Sequence, residues 1–439
     1  MSLESTFNTI INQCYQPGTC VVLGLSGGLD SRVMLELLAN YSRRKGIKCL
    51  AVHVHHGLSD NAEHWADQCQ HWCQSLGVPL VIERVSLDLD GRSIEESARD
   101  ARYGALREHL NPGDLLLTGQ HADDQLETFL LALKRGSGPK GLSSMAAVMP
   151  FANAHLVRPL LSITRQEIEK FAQNLELEWI EDESNQDQRF ERNFIRHSLT
   201  PVMNERWPHI HQSVQRSAEL CAEQEKLLDE LMAEKLSVTM HSDDSLDIAT
   251  LAGMSDLARI RLLRMWLESL GMRMPSRVQL DKLWSEVAQA QQDANPQLAL
   301  SGGQIRRYAQ KLYVVKNWQS LDQWQCDLKL EQVIELPDSL GQLSIAPSLN
   351  GKLSVQALVQ APLQVTFNPE GLSAHPAERG HSRKLKKLFQ EYGVPSWLRR
   401  RTPIILCGDV VVAVGDLFID RHFIGQDCEL IWDKADSIM

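Results

Sequence analysis

Long apolar runs are missing from this chain of 439 residues. The best candidate, Ile404 to Val414, is interrupted by Asp409 and falls short of the roughly 18 apolar residues that a membrane span needs. No membrane association is therefore expected. Met1 to Thr9 lacks the positive start and apolar core of a secretory signal, so export is not expected and the cytoplasm is the expected location. The nine cysteines include no C-x-x-C pair. Cys69 and Cys73 come nearest, at helical spacing, and read as reduced, mostly buried thiols rather than metal ligands or redox partners. Low-complexity segments are lacking too, and 43% hydrophobic with 23% charged residues describes an ordinary globular protein. Positive charge is in deficit, with 45 Lys and Arg against 56 Asp and Glu and a net charge of −11. That excludes nonspecific nucleic-acid binding by the whole surface but leaves room for a local basic face.

What the chain does have is alternation. Strand-like runs Cys20–Leu25, Cys49–Val54, Pro79–Val85 and Asp114–Thr118 are each followed by an amphipathic helical stretch: 31–44, 61–76, 94–109 and 123–134. Such βαβα order predicts an α/β domain with a parallel, Rossmann-like sheet covered by helices, in which ligands sit at the carboxyl ends of the strands. The loops after Leu25, Val54 and Thr118 should then converge on one crevice. Length and pattern together suggest a catalytic domain over 1–210 and a connecting helix within 211–245. A small mixed, substrate-binding domain over 246–316 follows, then a region of short strands or linker over 317–361. A compact C-terminal domain over 362–439 carries a basic helix and a hairpin turning at Gly408–Asp409. The smaller domains are expected to be α/β or α+β.

The strongest local signal is Ser26-Gly27-Gly28-Leu29-Asp30-Ser31, between the first strand and its helix. Paired glycines allow close backbone approach and positive φ, and the helix start offers amides and partial positive charge to an anion. The loop suits phosphate, yet it lacks the Walker A spacing and its terminal lysine. Ser26 and Ser31 can donate hydroxyls, and Asp30 beside a polyphosphate makes sense as an anchor for Mg2+. An ordinary strand-to-helix turn capped by Asp30 is the plain alternative. The hexapeptide resembles the pyrophosphate loop of the PP-loop ATPases (adenine nucleotide α-hydrolase-like fold), which implies ATP as substrate, split between the α and β phosphates, with Ser26, Gly27, Gly28, Leu29, Asp30 and Ser31 as ATP-binding residues. In similar proteins the second strand end contacts adenine through its backbone, which places Val52 and His53 there. His53, His55 and His56 do not suggest zinc, because alternation sends His53 and His55 to one face and leaves His56 in the turn.

At the fourth strand end, Gly119-Gln120-His121-Ala122-Asp123-Asp124-Gln125-Leu126-Glu127 sets Asp124 and Glu127 three apart at a helix start, so they share a face. They could merely complement the helix dipole, or they could bind a cationic substrate or metal. Downstream lie a basic glycine-rich loop with Arg135 and Lys140, then Arg158-Pro159-Leu160-Leu161, then Asp182 to Asn185 leading to Arg192 and Arg196, which are four apart and suited to a phosphate or an RNA backbone. These segments resemble the lysidine synthetases. That resemblance implies lysine binding by Asp124 and Glu127, catalytic roles for Asp30, Asp124, Glu127, Arg192 and Arg196, and RNA contact by Arg135 and Lys140.

Between Arg379 and Arg401 stand eight basic residues and one acidic residue, Glu391. Such a cluster in an acidic chain is a candidate footprint for phosphodiester backbone, with Tyr392 and Trp397 among the charges, although anchoring in the core is the simpler use of Trp397. Arg383, Lys384, Lys386, Lys387, Arg399, Arg400 and Arg401 resemble the C-terminal tRNA-recognition domain of the long lysidine synthetases. The resemblance implies a ligase that joins free L-lysine to C2 of the wobble cytidine of the isoleucine tRNA with a CAU anticodon, through an adenylated intermediate, with AMP and pyrophosphate released and room for a homodimer. A PP-loop tRNA thiolase, a glutamine-fed amidotransferase and a non-catalytic ATP- or RNA-binding module are the rivals. The missing C-x-x-C speaks against the first, Ser2 in place of a nucleophilic Cys against the second, and Asp30, Asp124 and Glu127 in one crevice against the third.

Overall fold

The computed structural model describes residues 2–57, 59, 61–86, 94–183, 187–291 and 294–434. The chain divides into two units, Met1–Leu228 and Asp229–Met439.

The first unit opens with α1 (Leu3–Cys14) and then alternates: β1 (Cys20–Gly24), α2 (Leu29–Lys45), β2 (Lys48–His55), α3 (Ala62–Leu76), β3 (Leu80–Arg84), α4 (Ile94–Arg107), β4 (Leu115–Leu117) and α5 (Ala122–Lys134). The expected strands and helices are all present within a few residues. A short α6 (Pro139–Leu142), a hairpin of β5 (Val148–Phe151) and β6 (Ala154–Val157), and α7 (Arg165–Asn174) complete the layer. The hairpin was not anticipated from the sequence. It extends the sheet, whose order is β3-β2-β1-β4-β6-β5, parallel throughout except for the edge strand β5.

Strand alternation shows why this sheet is buried on both faces. Val21 and Leu23 of β1, with Leu115 and Leu117 of β4, join one apolar cluster with Phe7, Met34 and Leu38. Val22 and Leu116, pointing the other way, join a second cluster with Val52, Leu106 and Leu156. The chain leaves β1 toward β2 on one side, while β4 lies on the other, so the sheet changes direction between β1 and β4. Loops at such a switch point splay apart and leave a crevice. Helix α2 continues for 17 residues and stops at Gly46, whose φ of 64° is the left-handed conformation that closes helices, behind Arg43, Arg44 and Lys45 on the negative end of the dipole.

After α7 come α8 (Glu191–Phe194), a π-turn over Ile195–Leu199, α9 (Thr200–Arg206) and the long α10 (Ile210–Thr239), where the connecting helix was expected. The second unit contains a four-stranded antiparallel sheet of Leu246–Asp247, Lys311–Val315, Gly303–Tyr308 and Gln297–Leu300. Helices Asp256–Ser269 and Arg277–Lys282 pack on it around fully buried Trp266, whose indole N–H donates to Asp244 O at 2.7 Å. Residues 317–361 are not a linker. Gln325–Leu328 pairs with Leu363–Thr366, and Gln342–Pro347 pairs with Cys428–Asp433, so this stretch supplies strands to the C-terminal sheets. Leu343, Ile345 and Leu353 are buried in one core with Val365, Phe367 and Ile405. Alternation is confined to short pieces such as Cys326–Leu330 and Leu343–Ile345, and the Pro and Gly turns between them obscure it in the sequence.

Replacing Trp266 with Ala should cost the second unit about 3–5 kcal/mol, from lost burial plus the orphaned Asp244 carbonyl. Denaturant unfolding of the full chain checks this. An unchanged profile would contradict the packing described.

Candidate active site

The glycine loop follows β1 as a tight turn. Gly27 has φ of +89°, and a Cβ there would lie 2.5 Å from Ile180 Cδ1 and 3.2 Å from Cys69 Sγ, so only glycine fits without movement. Gly28, rather than Asp30, takes the N-cap position of α2, and Asp30 stands in the first turn. The hydroxyl of Ser31 accepts from Gly27 N–H and donates to Gly28 O, both at 3.0 Å, and lies 3.0 Å from Ser26 Oγ. The two serines thus brace the loop from within. Leu29 is buried behind it. On the neighbouring strand, Val52 O accepts from Leu25 N–H at 2.9 Å, and buried His53 places Nδ1 2.8 Å from Leu25 O. Both expected adenine contacts therefore stand at the strand end beside the loop.

From the other side of the switch point, Gly119 brings the end of β4 against α2: a Cβ there would lie 3.2 Å from Asp30 C and Cβ. This close approach is what draws the two sequence motifs into one site. His121, 1% exposed, caps α5 and reaches both motifs. Its Nε2 lies 3.6 Å from Asp30 Oδ1 and 3.4 Å from Asp124 Oδ2. When neutral, its Nδ1 accepts from Asp123 N–H at 3.2 Å; when charged, it faces the Asp123 carboxylate at 3.5 Å. Asp123 also accepts from Arg165 N–H at 2.8 Å and lies 3.5 Å from His211 Nε2. Arg165 closes the ring by reaching Asp30 Oδ2 at 3.3 Å.

Asp124 and Glu127 do share a face, and both meet Arg196. Its Nε donates to Glu127 Oε1 at 2.7 Å, and its Nη2 to Glu127 Oε2 and Asp124 Oδ1, each at 3.1 Å. Arg192, one turn earlier, reaches Thr128 Oγ1 at 3.5 Å. The two arginines thus align along α5, and the π-turn that carries Arg196 sets their pitch, a device common at functional sites. Glu127 is 1% exposed, so the pair forms a buried, arginine-filled fork rather than an open acidic cleft.

Burial raises the Asp30 carboxyl above its ordinary range, with His121 and Arg165 offsetting part of the effect, and burial likewise raises Glu127 despite Arg196. For His121 burial works against the charge, but Asp124, Asp123 and Asp30 outweigh it and push the imidazole up to about 9. Asp123, also opposed by burial, is held down to about 2 by His121 and the Arg165 amide. Four carboxylates thus face His121, Arg165 and Arg196, with His211 beside Asp123. Asp30 Oδ1 is buried without a hydrogen-bond partner, the kind of orphaned oxygen that a divalent ion satisfies.

His121, Asp123, Arg165 and His211 received no role from the sequence. His121 stood inside the quoted motif at a recognisable cap position, whereas Arg165 and His211 carry no local signal. Ser184 and Asn185 lie outside the described residues. Arg135 and Lys140 are exposed on the loop after α5.

The C-terminal basic cluster divides in two. Lys384, Lys386 and Lys387 are exposed, form no ion pair with a described residue and, with Arg383, line a cavity of about 500 Å3. Arg383 and Arg379 both bind Glu391, at 2.9 and 2.5 Å. The expectation of RNA contact is corrected for Arg401, which is buried, while Arg399 and Arg400 are part-exposed and already have partners. Arg401 is 5% exposed, bound to Asp338 at 2.7 Å and set over the Trp318 ring; Arg400 pairs with Asp322 and Glu370; and Arg399 donates to Val394 O at 3.0 Å. Trp397 packs beside Tyr308 and Tyr313, and Tyr392 stacks on Phe418. These side chains hold the fold together.

Gly27→Ala should lower ATP affinity at least about tenfold, or about 1.4 kcal/mol, by forcing the loop away from Ile180. Calorimetric titration with ATP checks this, and native affinity would refute the close fit. The His121 pKa is raised from 6.5 to about 9, so its charge stabilises the fold fully below about pH 6.5, and that contribution is lost as pH rises through about 9. Thermal melts across this window should fall more steeply for the native protein than for His121→Gln; parallel curves would refute the assignment.

Residues 1–203 match the PP-loop domain model, 246–313 the TilS substrate binding domain and 363–433 the TilS substrate C-terminal domain. Across 435 residues the chain is 57% identical to the tRNA(Ile)-lysidine synthase of Vibrio parahaemolyticus serotype O3:K6, covering 99% of each, and 57% identical to that of Vibrio vulnificus strain CMCP6, covering 99% of this chain and 100% of the relative. Among solved structures, the U34-tRNA thiolase NcsA from Methanococcus maripaludis with its [4Fe-4S] cluster is similar over 50% of this chain and 78% of its own, with a TM-score of 0.42 and 19% identity. With its glycine loop, its paired acids and relatives that match it end to end, the chain belongs to the tRNA(Ile)-lysidine synthase family of ATP-using ligases.

Proposed function

We propose that the chain joins free L-lysine to C2 of the wobble cytidine of the isoleucine tRNA with a CAU anticodon, through an O-adenylated intermediate. The observation that carries this reading is the Asp124 and Glu127 pair lying one imidazole away from Asp30 of the glycine loop. The C2 carbonyl oxygen of the cytidine attacks the α-phosphorus of ATP, and pyrophosphate departs along the loop, where the first-turn amides of α2 favour anions. The neutral ε-amine of lysine then adds to C2, and AMP leaves with the C2 oxygen.

Arg196 holds the place that an ammonium would take between Asp124 and Glu127. In this reading the guanidinium turns from the carboxylates to the α-phosphate when ATP and lysine are bound, and the ammonium replaces it. The raised Glu127 carboxyl is suited to receive the proton that the amine must lose before attack. Arg192 lies one turn away and serves the same phosphate or the RNA backbone. Mg2+ fits at Asp30, whose Oδ1 lacks a partner. The described residues contain no cluster of three ligands, so phosphates and water would complete its shell. When bound, the ion offsets charge on the phosphates.

Lys384, Lys386, Lys387 and Arg383 offer phosphodiester contacts far along the chain from the chemistry, and Arg135 and Lys140 offer contacts near it. A cytoplasmic location follows from the substrates. No helix among the described residues is long and apolar enough to cross a membrane. The thiolase alternative is disfavoured because burial pushes Cys69 and Cys73, the cysteines nearest in sequence, up to about 12, which leaves poor nucleophiles.

The protein incubated with ATP, labelled lysine and unmodified tRNA should yield lysidine, AMP and pyrophosphate, detected by nucleoside mass spectrometry. Asp30→Ala should abolish adenylation with tRNA still bound. Reversing Lys386 and Lys387 to Glu should weaken tRNA binding about tenfold or more and steepen its loss with salt. Release of ADP, or equal loss of chemistry in both variants with tRNA bound, would overturn the reading.

A further inference from the structure

A second cavity, of about 590 Å3, opens beside the acid pair, and its aromatic wall has no part in the chemistry above. It lies between α5, the loop over 135–141 and the start of α8. Arg99, Arg135, Arg192 and Phe190 form its walls, with Leu131 and Thr128 from α5. Thr128 follows Glu127 directly, and Arg192 precedes Arg196 by one turn, so the cavity adjoins the fork where those residues meet.

Two of its cations are already paired, Lys134 with Glu191 and Arg189 with Asp187, each at 2.6 Å. Arg99, Arg135 and Arg192 form no ion pair with a described residue, and Arg192 makes only the long contact to Thr128. Between these charges stands Phe190, 51% exposed at the N-cap of α8, with Phe194 also exposed one turn on. The half-exposed ring beside guanidiniums without an anionic partner among the described residues is the pairing that single-stranded nucleic acid uses: phosphate on the cations and a base face on the ring.

We propose that this cavity holds one single-stranded RNA nucleotide adjacent to the reacting base, its base stacked on Phe190 and its phosphate bound by Arg135 and Arg192. The inference rests on the tRNA substrate proposed above and adds a subsite to it. Stacking there anchors the loop on one side of the reacting cytidine while the acid pair and the glycine loop work on the other. The carboxylate of free lysine is a poorer match, because one carboxylate is satisfied by a single guanidinium fork and has no use for an exposed aromatic ring.

The test uses the full-length protein with Phe190→Ala, Phe190→Trp and Arg135→Ala. KM values for tRNA and for lysine are measured separately, together with direct binding of an anticodon stem-loop. Phe190→Ala should raise KM for tRNA and Kd for the stem-loop about tenfold, Phe190→Trp should restore both, and KM for lysine should stay at the native value. Removing the base of one loop nucleotide should weaken binding to the native protein but not to Phe190→Ala, and that position identifies the stacked base. A change confined to KM for lysine, no rescue by Trp, or a base-removal penalty that persists in Phe190→Ala at every position would overturn the proposal. A native protein that binds the stem-loop but makes no lysidine would instead strike the reaction proposed above, while the binding comparison still decides this subsite.

Discussion

Four carboxylates, those of Asp30, Asp123, Asp124 and Glu127, crowd into a pocket that removes most of them from water, and like charges in such a setting repel strongly. The fold tolerates this because His121, Arg165 and Arg196 are threaded between them: His121 faces Asp30, Asp123 and Asp124, Arg165 meets Asp30 and Asp123, and Arg196 meets Asp124 and Glu127. His121 can lie there because Gly119 lets the end of β4 come into contact with α2. The site is thus an electrostatic compromise set at a switch in sheet direction; apolar or amide side chains at the same positions would remove the repulsion altogether.

The parts of this arrangement that depend on neighbours in sequence were legible from the chain. Alternation fixed β1 to β4, the paired glycines marked the turn, and the three-residue spacing of Asp124 and Glu127 placed both on one face of α5. The parts that depend on residues distant in sequence were not. Arg165 meets Asp30 across 135 positions, and Arg196 meets Glu127 across 69. Nothing local distinguishes Arg165 from a solvated arginine, and the spacing that singled out Arg192 and Arg196 did not say that Arg196 meets the two carboxylates. The same limit explains the Arg399 to Arg401 triplet. Its composition reads as a nucleic-acid footprint, but Asp338 holds Arg401 inside the fold, while Asp322 and Glu370 pair with Arg400 at the surface. The β5–β6 hairpin and the strands within 317–361 were obscured for a related reason: short strands between Pro and Gly turns carry too few alternating positions to stand out.

Sorting the basic residues by partner separates two functions that charge counting merges. Arg401 is buried on Asp338, so its removal would act first on the fold, whereas Arg400, Arg379 and Arg383 pair with acidic residues at the surface of their own unit. Lys384, Lys386 and Lys387 on one face, and Arg99, Arg135 and Arg192 around Phe190 in the other unit, have no such partners among the described residues. In a protein with a net charge of −11 the field of such a group is local, so under the proposed function each would draw a polyanion to its own cavity and not to the surface at large.

Arg196 belongs to neither class, and the difference bears on the chemistry. It is paired, but with the two carboxylates that the proposed reaction needs for lysine, and it sits one turn from Arg192 on the side facing the phosphates. If the guanidinium moves to the phosphate as the ammonium enters, each charge leaves one opposite partner only to meet another, and the buried site never holds an uncompensated ion. An acid pair left open would have to lose water and gain a cation in separate steps, each at the desolvation cost of a buried carboxylate. A fork already filled by arginine avoids that state, which gives a physical reason for placing the charge that serves the phosphate on the residues that serve the amine.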